Sequence, residues 1–152
     1  MVDISKNINL LLINIITKKE VLMVCQMHSS GVLTLKIQTM PTDVNLDGNV
    51  FGGWIMSQID IACGIRASQL CKCRVVTKAV TELLFEKPIQ VSDLVHIYTQ
   101  IRKIGKTSVT IYCDVWTCPR NASSDVLQKT CEATVVMVAV DEKGNPKSIR
   151  TE

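Results

Sequence analysis

Several absences narrow what this chain of 152 residues can be. No apolar run approaches the roughly twenty residues that a membrane-spanning helix needs. The strongest candidate, Ile8 to Ile16 (INLLLINII), is short, is interrupted by Asn9 and Asn14, and meets Lys18 and Lys19 without a small-residue cleavage site. It reads as a loosely held tail or a short docking helix, and Met23 and Met27 offer a later start that would leave the first two dozen residues outside the working domain. No dense Lys/Arg tract exists: 17 basic and 14 acidic residues give a formal charge of +3, spread along the chain, so a nucleic-acid partner has no electrostatic footprint. There is no Cys-x-x-Cys pair, and with only His28 and His96 available a tetrahedral zinc site lacks ligands. No metal, cofactor or membrane partner is therefore expected. The seven cysteines (Cys25, Cys63, Cys71, Cys73, Cys113, Cys118, Cys131) are an odd number in a chain too long to need disulfide staples. That favours a reducing cytoplasm, with most thiols serving as small core hydrophobes. No internal repeat or low-complexity segment is present.

What is there is 47% hydrophobic and 20% charged, enough for one self-supporting core. Gly31 to Met40 alternates apolar and polar residues before Pro41 and reads as a strand. Gly53 to Leu70 (GWIMSQIDIACGIRASQL) carries apolar residues on nearly every side, the signature of a helix surrounded by protein. Four strand-like runs follow, at Arg74 to Phe85, Asp93 to Lys103, Thr107 to Thr117 and Gln128 to Val140, separated by turns at Pro88, Gly105-Lys106 and PRNASSD. Strands joined by short turns make antiparallel sheets, and one all-round apolar helix needs a concave sheet to wrap it. The expected class is α+β, one long buried helix wrapped by a curled antiparallel five-stranded sheet. Its open edges favour pairing with a second copy.

Asp43, Asn45, Asp47 and Gly48 match the opening of an EF-hand loop, but position twelve, where calcium needs a bidentate glutamate, is Trp54. An indole has no oxygen to offer, and the segment before the loop is a strand. The motif is better read as the approach to the helix. Within that helix Asp60 lies between Ile59 and Ile61, with no Lys or Arg three or four residues away. A buried carboxylate without a partner is costly, so three readings stay open: a structural carboxylate, a helix less buried than its composition implies, or an acid/base lining a pocket. Gly64, one turn on, would leave room for a ligand beside it. At the helix start, Gly52 and Gly53 either offer free amides to a carbonyl gaining negative charge or merely let the turn pass under the sheet.

The stretch MPTDVNLDGNVFGGWIMSQID, Met40 to Asp60, resembles the signature of the bacterial hotdog-fold acyl-CoA thioester hydrolases of short-chain, broad-specificity type. The likeness extends through GVLTLKIQTMP, RVVT at 74–77, FEKPIQVSD at 85–93, GKTSV at 105–109, VW at 115–116 and VAVDEKGNPK. It divides the chain into a tail at 1–29, a hotdog domain at 30–147 and a C-terminal tail at 148–152. The resemblance implies hydrolysis of acyl-CoA to a free acid and CoA, in a dimer or trimer of dimers with sites between two hotdogs. It implies Asp60 as the catalytic carboxylate, working with Asn45 of the opposite subunit. A carbonyl would sit at the amides of Gly52, Gly53 and Trp54, and CoA phosphates at Arg74, Gly105, Lys106, Thr107 and Ser108, unless these last are ordinary solvated strand ends.

The chain departs from the resemblance at Lys78, Glu82 and Leu84, on a strand near the expected pocket, which puts acyl-chain preference in doubt. Hotdog dehydratases use a histidine near the helix start; none occurs in residues 40–70, and His96 sits mid-strand. The rival to hydrolysis is a non-catalytic acyl-CoA-binding or regulatory module.

Overall fold

The computed structural model describes residues 31–120 and 127–149. The run Ile8 to Ile16, Met23, Met27, Cys25 and His28 lie outside them, as does most of the loop PRNASSD. Five strands, β1 (Val32–Gln38), β2 (Arg74–Phe85), β3 (Asp93–Ile104), β4 (Ser108–Pro119) and β5 (Gln128–Val140), and one long helix, α1 (Gly52–Cys71), make up the domain. A single 3-10 turn, Pro41–Asp43, lies between β1 and α1. The strands form one antiparallel sheet in the order β1-β3-β4-β5-β2, open at both ends, with α1 packed on its inner face. The element order, the helix and every strand fall where the periodicity places them, within one or two residues.

Alternation explains the core. Val109, Ile111, Cys113 and Val115 of β4 and Cys131, Ala133, Val135, Met137 and Ala139 of β5 are buried toward the helix, while the residues between them are half-buried on the outer face. Against them α1 sets Ile55 and Ile59, whose burial contributes about 1.5–3 kcal/mol each, and the small residues Ala62, Cys63 and Ala67, which let the helix approach closely. The Sγ atoms of Cys63 and Cys113 lie 3.1 Å apart. That contact, and then burial, pushes the Cys113 thiol well above its ordinary range, and burial pushes Cys131 up to about 12. Thiols so disfavoured as thiolates are packing groups. Cys118 is buried as well, whereas Cys71 and Cys73, at the end of α1, are only half-buried.

One expectation is corrected. Within a protomer α1 is buried along a single face, by Ile55, Gln58, Ile59, Ala62, Cys63 and Ala67, and not all round. Met56 and Ile61 are 45% and 48% exposed. An open five-stranded sheet covers one side of a helix, and the apolar residues that composition placed inside lie on the uncovered side. Val76, Val80 and Leu84 of the edge strand β2 are also exposed.

Two irregularities in β2 decide which of its side chains face the helix. Its pairing with β5 shifts between Thr77 and Ala79 and again between Val80 and Glu82. Each bulge inserts one residue and restores the same facing beyond it. Thr77, Val80 and Leu83, spaced by three, therefore stand opposite Met137, Val135 and Ala133, all inward-facing residues of β5. In a regular strand that spacing would send Val80 to the other face.

At the other edge, a Cβ on Gly31 would come within 2.9 Å of the Thr99 carbonyl oxygen and 3.1 Å of its neighbouring backbone atoms. Backbone cannot yield as a side chain can. Gly31→Ala is expected to cost about 1–3 kcal/mol, seen as a melting temperature lower by several degrees; an unchanged transition would show that β1 is free to move off β3.

Candidate active site

The loop before α1 is held by its own side chains. Asp43 Oδ2 accepts the amide of Met40 at 2.8 Å, and Asn45 Oδ1 accepts those of Asp47 and Asn49 at 3.0 Å each. Gly48, at φ 78°, takes the left-handed turn that its lack of a side chain permits. Two of the oxygens that matched a calcium loop, Asp43 Oδ2 and Asn45 Oδ1, are thus spent on backbone amides. Among the described residues no cluster of three or more His, Cys, Asp or Glu is placed to hold a metal. The loop folds back on the helix start, where the Phe51 amide donates to the Asp43 carbonyl at 2.9 Å.

At that start Phe51 is the N-cap and supplies no side-chain cap. The Trp54 and Ile55 amides both donate to the Phe51 carbonyl, at 3.0 and 3.2 Å. Of the three amides expected to meet a carbonyl, Trp54's is therefore engaged within the helix, leaving those of Gly52 and Gly53. The Phe85 ring packs against Gly52, where a Cβ would lie 3.2 Å from it, while a Cβ on Gly53 would meet nothing within 4 Å. A cavity of about 330 Å³ opens here, lined by Asn49, Gly52, Ile55, Phe85, Lys87 and Ile89 among others.

Asp60 lies eight residues further along α1, about 12 Å at the helical rise. It is exposed in the protomer, which corrects the expectation of a buried carboxylate: its side of α1 is the uncovered one. Nor is it without a partner. Thr77 Oγ1 donates to Asp60 Oδ1 across from β2, and lies 3.3 Å from Met137 Sδ. Thr77 is the residue that sequence reasoning missed: alternation in RVVT turns it inward, but nothing in the run announces that its hydroxyl meets Asp60 of the helix. Asp60 also borders a second, small cavity of about 20 Å³ with Met56, Ile59, Val80, Leu83, Ala133 and Val135. The space beside Gly64 is not part of it: the Met137 methyl closes to 3.9 Å from where a Cβ would stand. Met56 and Leu83 border the cavity instead.

Asn45 borders neither of these two cavities. Arg74 and the turn Gly105 to Ser108 flank the end of β5: Arg74 pairs with Val140, and the Thr107 carbonyl accepts the Ala139 amide at 2.9 Å. The turn is closed by the Gly105 amide on the Ser108 carbonyl at 2.7 Å. The Arg74 guanidinium is exposed and donates to the Glu142 carbonyl at 3.3 Å. His96 stands on the outer face of β3, between the inward-facing Val95 and Ile97, and borders neither cavity. Of the departures from the resemblance, Leu84 pairs with Glu132 on the outer face, and Lys78 and Glu82 sit at the two bulges; none borders the small cavity.

Comparison with known proteins gives one answer. Residues 47–124 match the thioesterase superfamily. The chain is 42% identical over 127 residues to an uncharacterized acyl-CoA thioester hydrolase of Haemophilus influenzae, covering 82% of each protein. It is 40% identical over 124 residues to the acyl-CoA thioester hydrolase YciA of Escherichia coli, covering 80% of this chain and 93% of that one. Among solved structures it resembles the hexameric thioesterase of Yersinia pestis, at a TM-score of 0.76 and 37% identity over 81% of this chain and 98% of that one. It also resembles a hexameric broad-specificity acyl-coenzyme A thioesterase, at 0.78 and 39%, over 81% and 89%. A helix on an open five-stranded sheet, a glycine-rich helix start and a mid-helix aspartate thus sit in a chain that belongs to the thioesterase superfamily, among the hotdog-fold acyl-CoA thioester hydrolases.

Proposed function

We propose that the chain hydrolyses acyl-CoA thioesters at a site shared by two protomers, with the carbonyl on the helix start of one and Asp60 of the other beside it. The observation that carries this is the separation along α1. A reacting carbonyl must lie about 3 Å from both its hydrogen-bond donors and the attacking group, yet the Gly52 and Gly53 amides and Asp60 of one protomer are about 12 Å apart. A second copy packed on the uncovered side of α1 and the open edge of β2 supplies the missing half, and covers Met56, Ile61, Val76 and Val80 as it does so. The hexameric relatives support a trimer of such dimers.

In this reading the two free amides polarise the thioester carbonyl and hold its oxygen as charge develops there. Asp60 draws a proton from water as it adds to the carbonyl and gives it up to the departing CoA thiolate, or attacks the carbonyl itself, expelling CoA thiolate and forming an anhydride that water then hydrolyses, its proton going to the thiolate. Thr77 is a positioning residue that fixes the Asp60 carboxylate. Asn45, its Oδ1 committed to two backbone amides, is left with a rigidly aimed Nδ2 that can donate to the carbonyl or the water. Arg74, Lys106, Thr107 and Ser108 take the CoA phosphates, Gly105 shapes their turn, and residues 30–147 form the catalytic domain. No helix among the described residues is long and apolar enough to cross a membrane; a cytoplasmic enzyme fits the cysteine usage.

Release of thiol from an acyl-CoA series tests the activity, and light scattering tests the assembly. Thiol release from a dimer or hexamer supports the reading; none from any acyl-CoA overturns it. Within the same assay Thr77→Val is expected to lower kcat by about 10- to 100-fold, the loss of one hydrogen bond to a charged group, with KM little changed and with Thr77→Ser restoring most of it. A change in KM alone would place Thr77 in substrate binding.

A further inference from the structure

We infer that the small cavity beside Asp60 receives the tail of the acyl group and that Leu83 sets how long a tail it takes. The inference rests on the hydrolase reading, because it requires the thioester to be presented to Asp60. Apart from Asp60 the cavity is lined only by apolar side chains: Met56 and Ile59 from α1, Val80 and Leu83 from β2, Ala133 and Val135 from β5. An apolar pocket opening at the reacting carboxylate is where a hydrocarbon chain loses most by staying in water.

The two bulges of β2 build this lining. Leu83 stands opposite Ala133 and Val80 opposite Val135, so both point under the helix although they are three residues apart. The small side chain of Ala133 leaves the space that Leu83 fills. Leu83 is half-buried and packed against the core, so it forms the floor; Met56, 45% exposed in the single protomer and on the side that the second copy covers, forms the mouth between the two protomers. A volume of about 20 Å³ is little more than one water-sized group needs. As it stands, the pocket takes a methyl or methylene, and longer tails must displace Met56 from the mouth or Leu83 from the floor. Leu84, next in sequence, pairs with Glu132 on the outer face and plays no part.

The test is the acyl-length profile of kcat/KM, from acetyl- through butyryl- and hexanoyl- to octanoyl-CoA, for wild type, Leu83→Ala, Leu83→Phe and Leu84→Ala. Each methylene newly accommodated should raise kcat/KM about fourfold, so Leu83→Ala is expected to raise the hexanoyl-to-acetyl ratio by at least about tenfold. Leu83→Phe should lower that ratio, and Leu84→Ala should leave it where it is. If Leu83→Ala fails to fold, Leu83→Val, one methylene smaller, should move the ratio in the same direction by a few-fold. A folded Leu83→Ala or Leu83→Val with the wild-type profile overturns the inference, as does an equal shift in Leu84→Ala. Wild type that releases no thiol from any acyl-CoA is a different failure: it removes the hydrolase reading itself.

Discussion

Asp60→Asn is expected to lower thiol release from acyl-CoA by about 100- to 10,000-fold, the span that separates a positioned general base from its absence. The protein should stay folded. Asp60 lies on the exposed side of α1, and asparagine keeps an oxygen that can accept the Thr77 hydroxyl, so the loss falls on proton transfer and not on packing. Thermal melting within a few degrees of wild type, together with unchanged oligomer size, would confirm that separation. Near-full activity in this variant would remove the carboxylate from the mechanism, whatever the fold retains.

Gly53→Pro is the complementary loss. Gly53 is the second residue of α1, where proline is tolerated because its nitrogen makes no intrahelical bond, yet proline has no N–H to give. Removing one of two donors from a carbonyl gaining charge is expected to cost about 100- to 1,000-fold in kcat, with helix content unchanged by circular dichroism. Gly53→Ala keeps the N–H, and its Cβ meets nothing within 4 Å; it should lose far less. Equal losses in the two variants would mean that space above the helix start, and not the amide, is what the substrate needs.

The fold is legible because its signals are periodic. Alternation in β3, β4 and β5 and the apolar density of α1 each reflect a buried face, and turn residues at Gly105 and Pro88 punctuate them. What misleads is density without direction: the apolar residues of α1 imply burial all round, whereas Met56 and Ile61 lie on its uncovered side. That same geometry exposes Asp60. An unpartnered carboxylate in a dry core is the right kind of residue to single out, but a single protomer bears out neither the dryness nor the missing partner. Alternation from Val75 places Thr77 and Leu83 on the inner face, but neither the Thr77 contact with Asp60 nor the inward Val80 is legible. Val80 faces the helix beside them only because of two inserted residues in β2, and a run such as RVVTKAVTELLF contains no glycine, proline or break in β-propensity to mark a bulge. Likewise the engagement of the Trp54 amide by the Phe51 carbonyl is a property of how the first turn closes, which composition does not set.

Mixing two inactive variants tests the shared site most directly. Asp60→Asn and Gly53→Pro chains, co-expressed under separate tags, would form mixed dimers in which one site carries both substitutions and the other neither. If the carbonyl sits on one protomer's helix start and meets the other's Asp60, a statistical mixture should recover about a quarter of wild-type thiol release, since half the dimers are mixed and half their sites intact. If both groups act within one protomer, no site in any dimer is intact, and the mixture will stay at the level of its parents.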